Sequence, residues 1–257
     1  MNFNHIKSLI KRDFCTFRNS KWKWLEVFYF PITSVIIWGL FALWTKELGS
    51  LAGKIALTVN IFWSYLFVVQ SSADYEVNED MWGRSGRNVF AAGITHWEYI
   101  TAHCLFSVII SLPVFFLMLL IAHSIFGINL LFLFPAYTIH LMLFTIFLGI
   151  TWAIIIAGLL VLLGRELNFI TWSFLQLFIM LSFPLIPIEN LPKVMQTFAK
   201  FMPFTPLFSA ARKIAVGITS SLAKGWMIAL IYFIFALIFY ELAFHFARKT
   251  GRLAKAF

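Results

Sequence analysis

The sequence predicts an all-α integral membrane protein with six transmembrane helices, an N-terminal amphipathic interface helix, and a re-entrant helical hairpin between spans five and six. Of the 257 residues, 61% are hydrophobic and only 12% are charged. Several apolar runs are long enough to cross a hydrocarbon core of about 30 Å. The segment from Leu181 to Gly217 interrupts this pattern with five prolines and several charges. These observations predict one membrane domain over residues 1–257.

Residues 3–20 predict a basic amphipathic helix. Apolar side chains recur there every three or four positions and basic side chains stand among them, a pattern suited to the headgroup layer of a membrane. The apolar stripe is predicted at Phe3, Ile6, Ile10, Phe14 and Phe17. The alternative for this segment is a solvated tail.

Six apolar runs predict the membrane spans. Pro135 opens one of them, at a helix position where a missing amide donor costs nothing. The predicted spans are Leu25 to Trp44, Ala52 to Gln70, Ile100 to Ala122, Pro135 to Leu163, Asn168 to Pro187, and Trp226 to Phe246.

Basic residues predict the orientation. An even number of spans places both termini on one side, and with that side cytoplasmic it holds 13 of the 20 Lys and Arg residues. The positive-inside rule therefore predicts a multi-pass protein of the cytoplasmic (inner) membrane with both termini in the cytoplasm. The net charge of +9 does not indicate nucleic-acid binding, because the basic residues lie at the ends of apolar runs.

Residues 71–99 predict the most highly charged cytoplasmic loop. Acidic and basic side chains stand there beside Trp82, Phe90 and Trp97, a combination suited to a short helix that docks on a partner protein. A solvated loop is the alternative. The charged residues are Asp74, Glu76, Glu79, Asp80, Arg84, Arg87 and Glu98.

Catalytic and metal-binding signatures are missing from the sequence. Cys15 and Cys104 are separated by most of a span and predict neither a disulfide nor a metal site. No phosphate-binding G-x-x-x-x-G-K-[ST] motif occurs, so the chain is not expected to hydrolyse ATP. Two alternatives are a membrane-embedded lipid-modifying enzyme, which needs clustered catalytic groups, and an ion-driven carrier, which needs acids within the spans.

Three features resemble the permease subunits of type-2 ABC exporters, which move polysaccharides, lipids and drugs. A basic amphipathic helix leads directly into the first span. The loop RSGRNVFAAGITHWEYITAH is similar to the coupling segment between the second and third spans of that family. The stretch LSFPLIPIENLPKVMQTFAKFMPFTPLFSAARKIAVG is similar to the family's outer segment between spans five and six.

The resemblance implies a complex powered by separate subunits. Two copies of this chain would pair with ABC ATPase subunits, which bind ATP and Mg²⁺, while this chain binds no cofactor of its own. Membrane lipids are the other expected partners. The resemblance implies coupling through anchors Trp82 and Phe90 and a rim of Glu79, Asp80, Arg84 and Arg87. It also implies an outer gate in residues 188–218 that includes Pro192, Pro203, Pro206 and Arg212.

Aromatic residues in spans one and five indicate a candidate substrate path. Aromatic faces can stack on sugar rings, so a polysaccharide or lipid-linked glycan is one expected cargo, beside lipids and drugs. The path residues are Trp38, Phe41, Phe169 and Trp172. The alternative is that these side chains face lipid or anchor the interface.

Overall fold

The computed structural model describes residues 1–83, 85–164 and 169–250, without the side chains of residues 131, 132 and 170–172. Every regular element in these ranges is a helix. In chain order they are α1 Phe3–Asn19, α2 Lys21–Glu47, α3 Ala52–Trp82, α4 Gly86–Ala91, α5 His96–Ser124, α6 Leu130–Leu133, α7 Pro135–Leu163, α8 Phe169–Leu181, α9 Lys193–Phe201, α10 Thr205–Ala215 and α11 Ala223–Lys249.

Polar side chains define where several helices begin. The Asn2 side chain accepts a hydrogen bond from the backbone N–H of Asn4 at 3.0 Å and caps α1. Ser20 separates α1 from α2, and its hydroxyl caps the start of α2. Thr95 and Glu98 form a reciprocal capping box at the start of α5. Each cap satisfies an N–H that would otherwise lack a partner at a helix terminus.

The helix α3 occupies the centre of the bundle and packs against α2, α5, α7 and α10. The approach of α7 is close because Gly149 faces α3. A Cβ atom at Gly149 would lie 2.6 Å from Cγ1 of Val69, which is far inside van der Waals contact. A glycine at this position therefore lets α3 and α7 approach each other closely.

The helices α2 and α11 lie at the periphery and expose apolar side chains along their length. In their most hydrophobic stretches only 22% and 28% of residues are buried, compared with 78% for α3. Such surfaces are stable against lipid and unfavourable in water. Five helices in the described part of the chain are long and apolar enough to cross a membrane, namely α2, α3, α5, α7 and α11.

The predicted fifth span corresponds to a shorter helix. The described helix α8 has 13 residues, or a length of roughly 20 Å at 1.5 Å per residue. Residues 182–187 are not helical, and Asn168 lies outside the described residues. The other five predicted spans lie within long helices, while a sixth crossing stays a prediction.

The loop predicted over residues 71–99 is shorter in the structure. Residues 71–82 continue α3 without a break, so the connection to α5 is limited to residues 83–95 and contains the short helix α4. The acidic side chains that suggested a loop are mostly buried in the bundle. A helix can bury Glu76 and Asp80 because α2 and α1 supply their basic partners, Lys23 and Arg12.

The proline-rich segment folds into a 3-10 turn, Ile188–Asn190, and the two short helices α9 and α10. Most of α10 is buried, and it packs on α3 and α7. In α9 only Ala199 is buried, and the apolar side chains Val194, Phe198 and Phe201 are exposed. The two helices therefore have opposite roles in packing, α10 as part of the core and α9 as a surface element.

The buried face of α1 differs from the predicted stripe. Ile6, Leu9, Asp13 and Phe17 are buried, and α1 packs mainly on α5. Phe3 and Phe14 were predicted on the same stripe but are 76% and 49% exposed. The reason is that a charged residue, Asp13, belongs to the buried face, where α5 and the neighbouring Arg12 give it polar partners.

Candidate functional site

Five polar side chains join α1, α3 and α5 at the end of the bundle where the chain begins. We call Arg12, Asp13, Asp80, Tyr99 and His103 the charge cluster. Nη1 and Nη2 of Arg12 donate to the two carboxylate oxygens of Asp80 at 3.1 and 2.9 Å. Nε and Nη2 of Arg12 donate to Oδ1 of Asp13 at 3.0 and 2.9 Å. The Tyr99 hydroxyl donates to Asp80 at 3.0 Å, and Nδ1 of His103 lies 2.8 Å from Oδ2 of Asp13.

Burial makes these charges depend on one another. The side chains of Asp13 and His103 are fully buried, and that of Arg12 is 33% exposed. Burial alone would raise the pKa of Asp13, but its hydrogen bond with His103 and its electrostatic interactions with His103 and Arg12 hold that pKa below its usual value. Burial alone would lower the pKa of Arg12, but Asp80 and Asp13 raise it above its usual value. The ion pair between Arg12 and Asp13 therefore persists at neutral pH.

Two further contacts reinforce this end of the bundle. Lys23, at the start of α2, donates from Nζ to Oε1 of Glu76 at 2.8 Å and also pairs with Glu79. At the start of α5, Glu98 lies 3.1 Å from Nδ1 of His5 and accepts a hydrogen bond from the backbone N–H of Asn2. The N-terminal helix and the first turn of α2 are thus fixed to α3 and α5 by ionic contacts.

One acid in α3 has no basic partner among the described residues. Asp74 is fully buried and accepts a hydrogen bond from Nε2 of Gln70, while its Oδ1 atom has no partner in the described structure. An ion-driven carrier is disfavoured by the lack of acids at mid-span in the predicted spans. Asp74 lies four residues beyond the end of the predicted second span, in the part of α3 nearer to the charge cluster, so that expectation stays a prediction.

The predicted coupling residues do not share one surface. Trp82 is 57% exposed and Arg87 is exposed, whereas the Asp80 side chain is buried in the charge cluster. Glu79 is half-exposed and paired with Lys23. Phe90 is partly buried, with its ring centroid 5.3 Å from that of Tyr99 and 5.5 Å from that of Phe244. Arg84 lies outside the described residues.

Phe90 thus contacts two neighbouring helices. Asp80 does not lie at an exposed rim, because Arg12, Tyr99 and Ser85 surround its carboxylate. Its role in coupling stays a prediction, and any such role runs through these contacts.

A cavity of about 700 Å³ lies beside the connection between α4 and α5. The ring of His96 stacks on that of Phe244 with a centroid distance of 4.6 Å, and Gly93 adopts a left-handed backbone with φ of 81°. Exposed residues 91–93 lie next to this cavity. Its lining residues are Met1, Phe90, Gly93, Ile94, Thr95, His96, Trp97, Phe244 and Arg248.

Sequence reasoning did not identify Arg12, Asp13, Tyr99 or His103 as members of the charge cluster, nor Lys23 as the partner of Glu76 and Glu79. Arg12 and Lys23 were counted only as markers of orientation. The signal that could have revealed the cluster is Asp13, an acid at a position that continues the apolar spacing of Ile6, Leu9 and Phe17. A buried acid on an amphipathic helix requires a polar partner on the element that covers it.

A second candidate site lies at the opposite end of α2 and α3. A cavity of about 860 Å³, which we call the α2–α10 groove, separates α2 from α10. Its walls are mostly apolar, and Arg212 and Lys213 bring positive charge to it. The lining residues are Ile37, Trp38, Phe41, Ala52, Ile55, Ala56, Leu185, Pro187, Ser209, Arg212, Lys213 and Val216.

Arg212 also holds the irregular chain that follows α8. Its Nη1 atom donates to the carbonyl oxygens of Phe183 at 3.1 Å and Pro184 at 2.6 Å. Phe183 has a φ of 47°, a left-handed conformation that is strained for a residue with a side chain. The guanidinium therefore stabilises a turn that the local sequence disfavours.

The three predicted gate prolines lie at the ends of α9 and α10. Pro192 precedes the first turn of α9, Pro203 lies between α9 and α10, and Pro206 is in the first turn of α10. A Cβ atom at Gly225 would lie 2.8 Å from Cβ of Pro206, so α11 begins in close contact with α10. Of the four predicted gate residues, only Arg212 lines the α2–α10 groove. Gating itself stays a prediction.

The structure places two predicted path residues beside a predicted gate residue. Trp38 and Phe41 line the α2–α10 groove together with Arg212, and their rings meet edge to face with a centroid distance of 5.7 Å. Phe169, at the start of α8, is 62% exposed and does not line this groove. Trp172 belongs to α8, but its side chain lies outside the described part of the chain.

Metal-ligand geometry is not found in the described ranges. Residues 1–83, 85–164 and 169–250 contain no group of three or more His, Cys, Asp or Glu side chains that could hold a metal ion. The acids of the charge cluster instead have guanidinium, hydroxyl and imidazole partners. Salt-bridged acids of this kind fix helices to one another.

Comparison with protein families gives a match over most of the chain. Residues 4–216 match the family described as ABC-2 type transporter. No curated protein matches the chain. The matched range extends from α1 through α10 and includes both the charge cluster and the residues that line the α2–α10 groove.

Replacement of Arg12 tests the charge cluster. In Arg12→Gln, the buried carboxylates of Asp13 and Asp80 lose their guanidinium, so we expect the free energy of unfolding to fall by about 3 kcal/mol. The measurement is denaturant unfolding in detergent, followed by circular dichroism. Lys11→Gln is the matched control, because Lys11 is exposed on the same helix. Equal stability of the two variants would contradict the assigned role of Arg12.

Replacement of Arg212 tests the strained turn. In Arg212→Met, the carbonyls of Phe183 and Pro184 lose a charged donor, so we expect a loss of about 1–3 kcal/mol in the free energy of unfolding. Limited proteolysis at residues 182–187 should become faster. Lys213→Met removes the same charge from the next, exposed residue and should change neither measurement. A turn equally resistant to protease in both variants would refute the role of Arg212.

Proposed function

Because this chain belongs to the ABC-2 type transporter family, we propose that it is the membrane subunit of an ATP-driven exporter whose power comes from a separate ATPase subunit. The ATPase subunit would bind ATP and Mg²⁺. This chain would supply the passage through the membrane and the contact that transmits movement. The arrangement that supports the proposal best is the charge cluster, which ties α1 and α3 together directly behind the exposed connection between α3 and α5.

Transmission of force requires that a contact at the surface moves the bundle as a unit. Trp82 lies two residues beyond Asp80, whose carboxylate is held by Arg12 of α1 and Tyr99 of α5. A push on residues 83–95 is therefore carried to three helices through ion pairs and hydrogen bonds. A surface loop that lacks such ion pairs and hydrogen bonds can move without shifting the helices beneath it.

The same end of the bundle offers chemistry for protein docking. Trp82 and Arg87 are both exposed. Tryptophan and arginine are among the residue types that contribute most to binding at protein interfaces. Beside them, the 700 Å³ cavity carries the aromatic rings of Phe90 and Trp97 on its walls. A projecting apolar side chain of the ATPase subunit would fit this cavity. We assign residues 83–97 as the coupling region on this basis.

The cargo we propose is amphipathic or polymeric: a polysaccharide, a lipid-linked glycan, a lipid or a drug. Support comes from the α2–α10 groove, which is lined by Trp38 and Phe41 of α2 together with the basic residues Arg212 and Lys213 of α10. Such a surface can accommodate a molecule with both apolar and polar parts. The α9 and α10 segment would then act as the outer gate.

The proposed assembly lies in the inner membrane with both termini in the cytoplasm. The family resemblance suggests two copies of this chain and two ATPase subunits. This orientation places the charge cluster and residues 83–97 where a cytoplasmic ATPase can reach them. It places the α2–α10 groove in the outer half of the membrane.

Coupling variants test the proposed function. The chain is purified together with the ATPase subunit encoded nearest to it, and ATP hydrolysis is measured in proteoliposomes with and without the membrane subunit. The double variant Trp82→Ala/Arg87→Glu should lower the fraction of ATPase that copurifies by about tenfold, since it removes one apolar anchor and reverses one charge.

The control for this experiment is Lys200→Glu, an equal charge reversal at the exposed surface of α9, at the other end of the bundle. It should leave copurification unchanged. Full copurification and normal stimulation of ATP hydrolysis by the double variant would overturn the assigned coupling region. Failure of the wild-type chain to bind any ATPase subunit would overturn the proposed function itself.

Cysteine labelling tests the proposed orientation. Cys15 is exposed and Cys104 is buried, so the native chain offers one reactive thiol near the charge cluster. A membrane-impermeant maleimide should label Cys15 in inverted vesicles and not in intact cells. In the variant Cys15→Ser/Thr219→Cys, the new thiol between α10 and α11 should show the reverse. Labelling of Cys15 from outside the cell would contradict the orientation.

A further inference from the structure

The α2–α10 groove has the dimensions of a site for one molecule within one leaflet. Its volume of about 860 Å³ lies within the ~300–1,000 Å³ that is usual for small-molecule pockets. It extends from Ala52, at the start of α3, to Ile37 of α2. Ile37 precedes the end of α2 at Glu47 by ten residues. At 1.5 Å per residue this depth is roughly 15 Å, half of a hydrocarbon core.

The groove also carries two positive charges that the described protein does not neutralise at close range. No carboxylate of the described residues lies within 4 Å of Arg212 or Lys213. Glu189 interacts with Arg212 only at longer distance. Both hydrogen bonds that Arg212 makes to the described chain use Nη1, which leaves Nη2 and Nε without a described protein partner. A guanidinium with free donors beside a lysine is suited to a phosphate group.

The apolar walls of the groove and its two positive charges together indicate which kind of molecule fits it. A free inorganic phosphate would satisfy the two cations but would leave the apolar walls of Trp38, Phe41 and Ile55 uncovered. A neutral apolar molecule would fill the groove but would leave the charges beside it without a partner. A molecule with a phosphate head and an aliphatic chain satisfies both requirements.

We propose that the α2–α10 groove binds a lipid-like amphiphile with an acidic phosphate head, its chain packed on α2 and α3 and its head on Arg212 and Lys213. The proposal names the cargo class of the proposed export function. It rests on that function, because the proposed orientation is what puts the groove in the outer half of the membrane. It narrows the expected cargo to phosphate-bearing amphiphiles, which include lipids and lipid-linked glycans.

Binding can be measured without ATP and without the ATPase subunit. The purified full-length chain in neutral detergent is incubated with dioleoyl phosphatidic acid or dioleoyl phosphatidylcholine, and retained lipid is counted by native mass spectrometry. We expect wild-type protein to retain phosphatidic acid and to prefer it about tenfold over phosphatidylcholine, because the choline carries an opposing charge. Inorganic phosphate in excess should not displace the lipid.

Two pairs of variants locate the site. Lys213→Gln should lower the retention of phosphatidic acid by about tenfold, while Lys200→Gln, on the neighbouring helix α9, should not. Ile37→Trp places a bulky ring at the end of the groove farthest from Ala52 and should also lower retention. Ile36→Trp alters the next residue of α2, which does not line the groove, and should leave retention unchanged. Both tested side chains, Lys213 and Ile37, are exposed, so folding should be preserved.

Several outcomes would overturn the proposal. These are equal retention of the two lipids, equal retention by Lys213→Gln and Lys200→Gln, or displacement of the lipid by inorganic phosphate. A change in the monomer to dimer ratio in Ile37→Trp with unchanged lipid retention would also overturn it, by assigning the groove to contact between two copies. None of these results bears on whether the chain binds an ATPase subunit, which the coupling variants measure separately.

Discussion

The structure depends on the neutralisation of two buried carboxylates by one guanidinium. Asp13 on α1 and Asp80 on α3 are both buried, and an isolated ionised carboxylate in such surroundings carries a large desolvation cost. Arg12 contacts both, and Tyr99 and His103 satisfy further oxygens. With these partners in place, α3 can continue as a helix through its acidic turns, and α1 can bury a charged face against α5.

The same helix α3 connects the two candidate sites. Its first turns line the α2–α10 groove, and its last turns carry Asp80 of the charge cluster. It spans 31 residues without interruption, and α2, α5, α7 and α10 pack around it. A continuous helix that is packed on several sides resists bending, so displacement at one end is carried to the other. This geometry offers a route between proposed coupling and proposed cargo binding.

Residues 182–222 show how a proline-rich sequence can be accommodated in such a bundle. Pro206 occupies the first turn of α10, where its missing amide is harmless, and Gly225 allows α11 to approach it closely. Arg212 compensates the irregular chain after α8 by bonding two carbonyl oxygens there. The positive-inside rule counts the basic residues of this segment only as charges. In the structure Arg212 stabilises a turn, whereas Lys213 is exposed.

The positions of the long helices could be predicted from the sequence because apolar run length is a local property. The predicted span Pro135 to Leu163 coincides with α7, and the predicted N-terminal helix corresponds to α1. The extent of α3 could not be predicted, because a run such as Glu76 to Asp80 predicts a loop unless its partners are known. Those partners, Arg12 and Lys23, lie more than 50 positions away in the chain.

The amino-acid sequence alone therefore determined the membrane class, the helical architecture and the family resemblance, all of which follow from composition, apolar run length and short motifs. Only the tertiary structure decided which charges are buried and which faces meet. It paired Arg12 with Asp80 and brought Trp38, Phe41 and Arg212 around one groove. The physical reason is that the energy of a charge or an aromatic ring depends on what surrounds it, and packing of distant segments creates those surroundings.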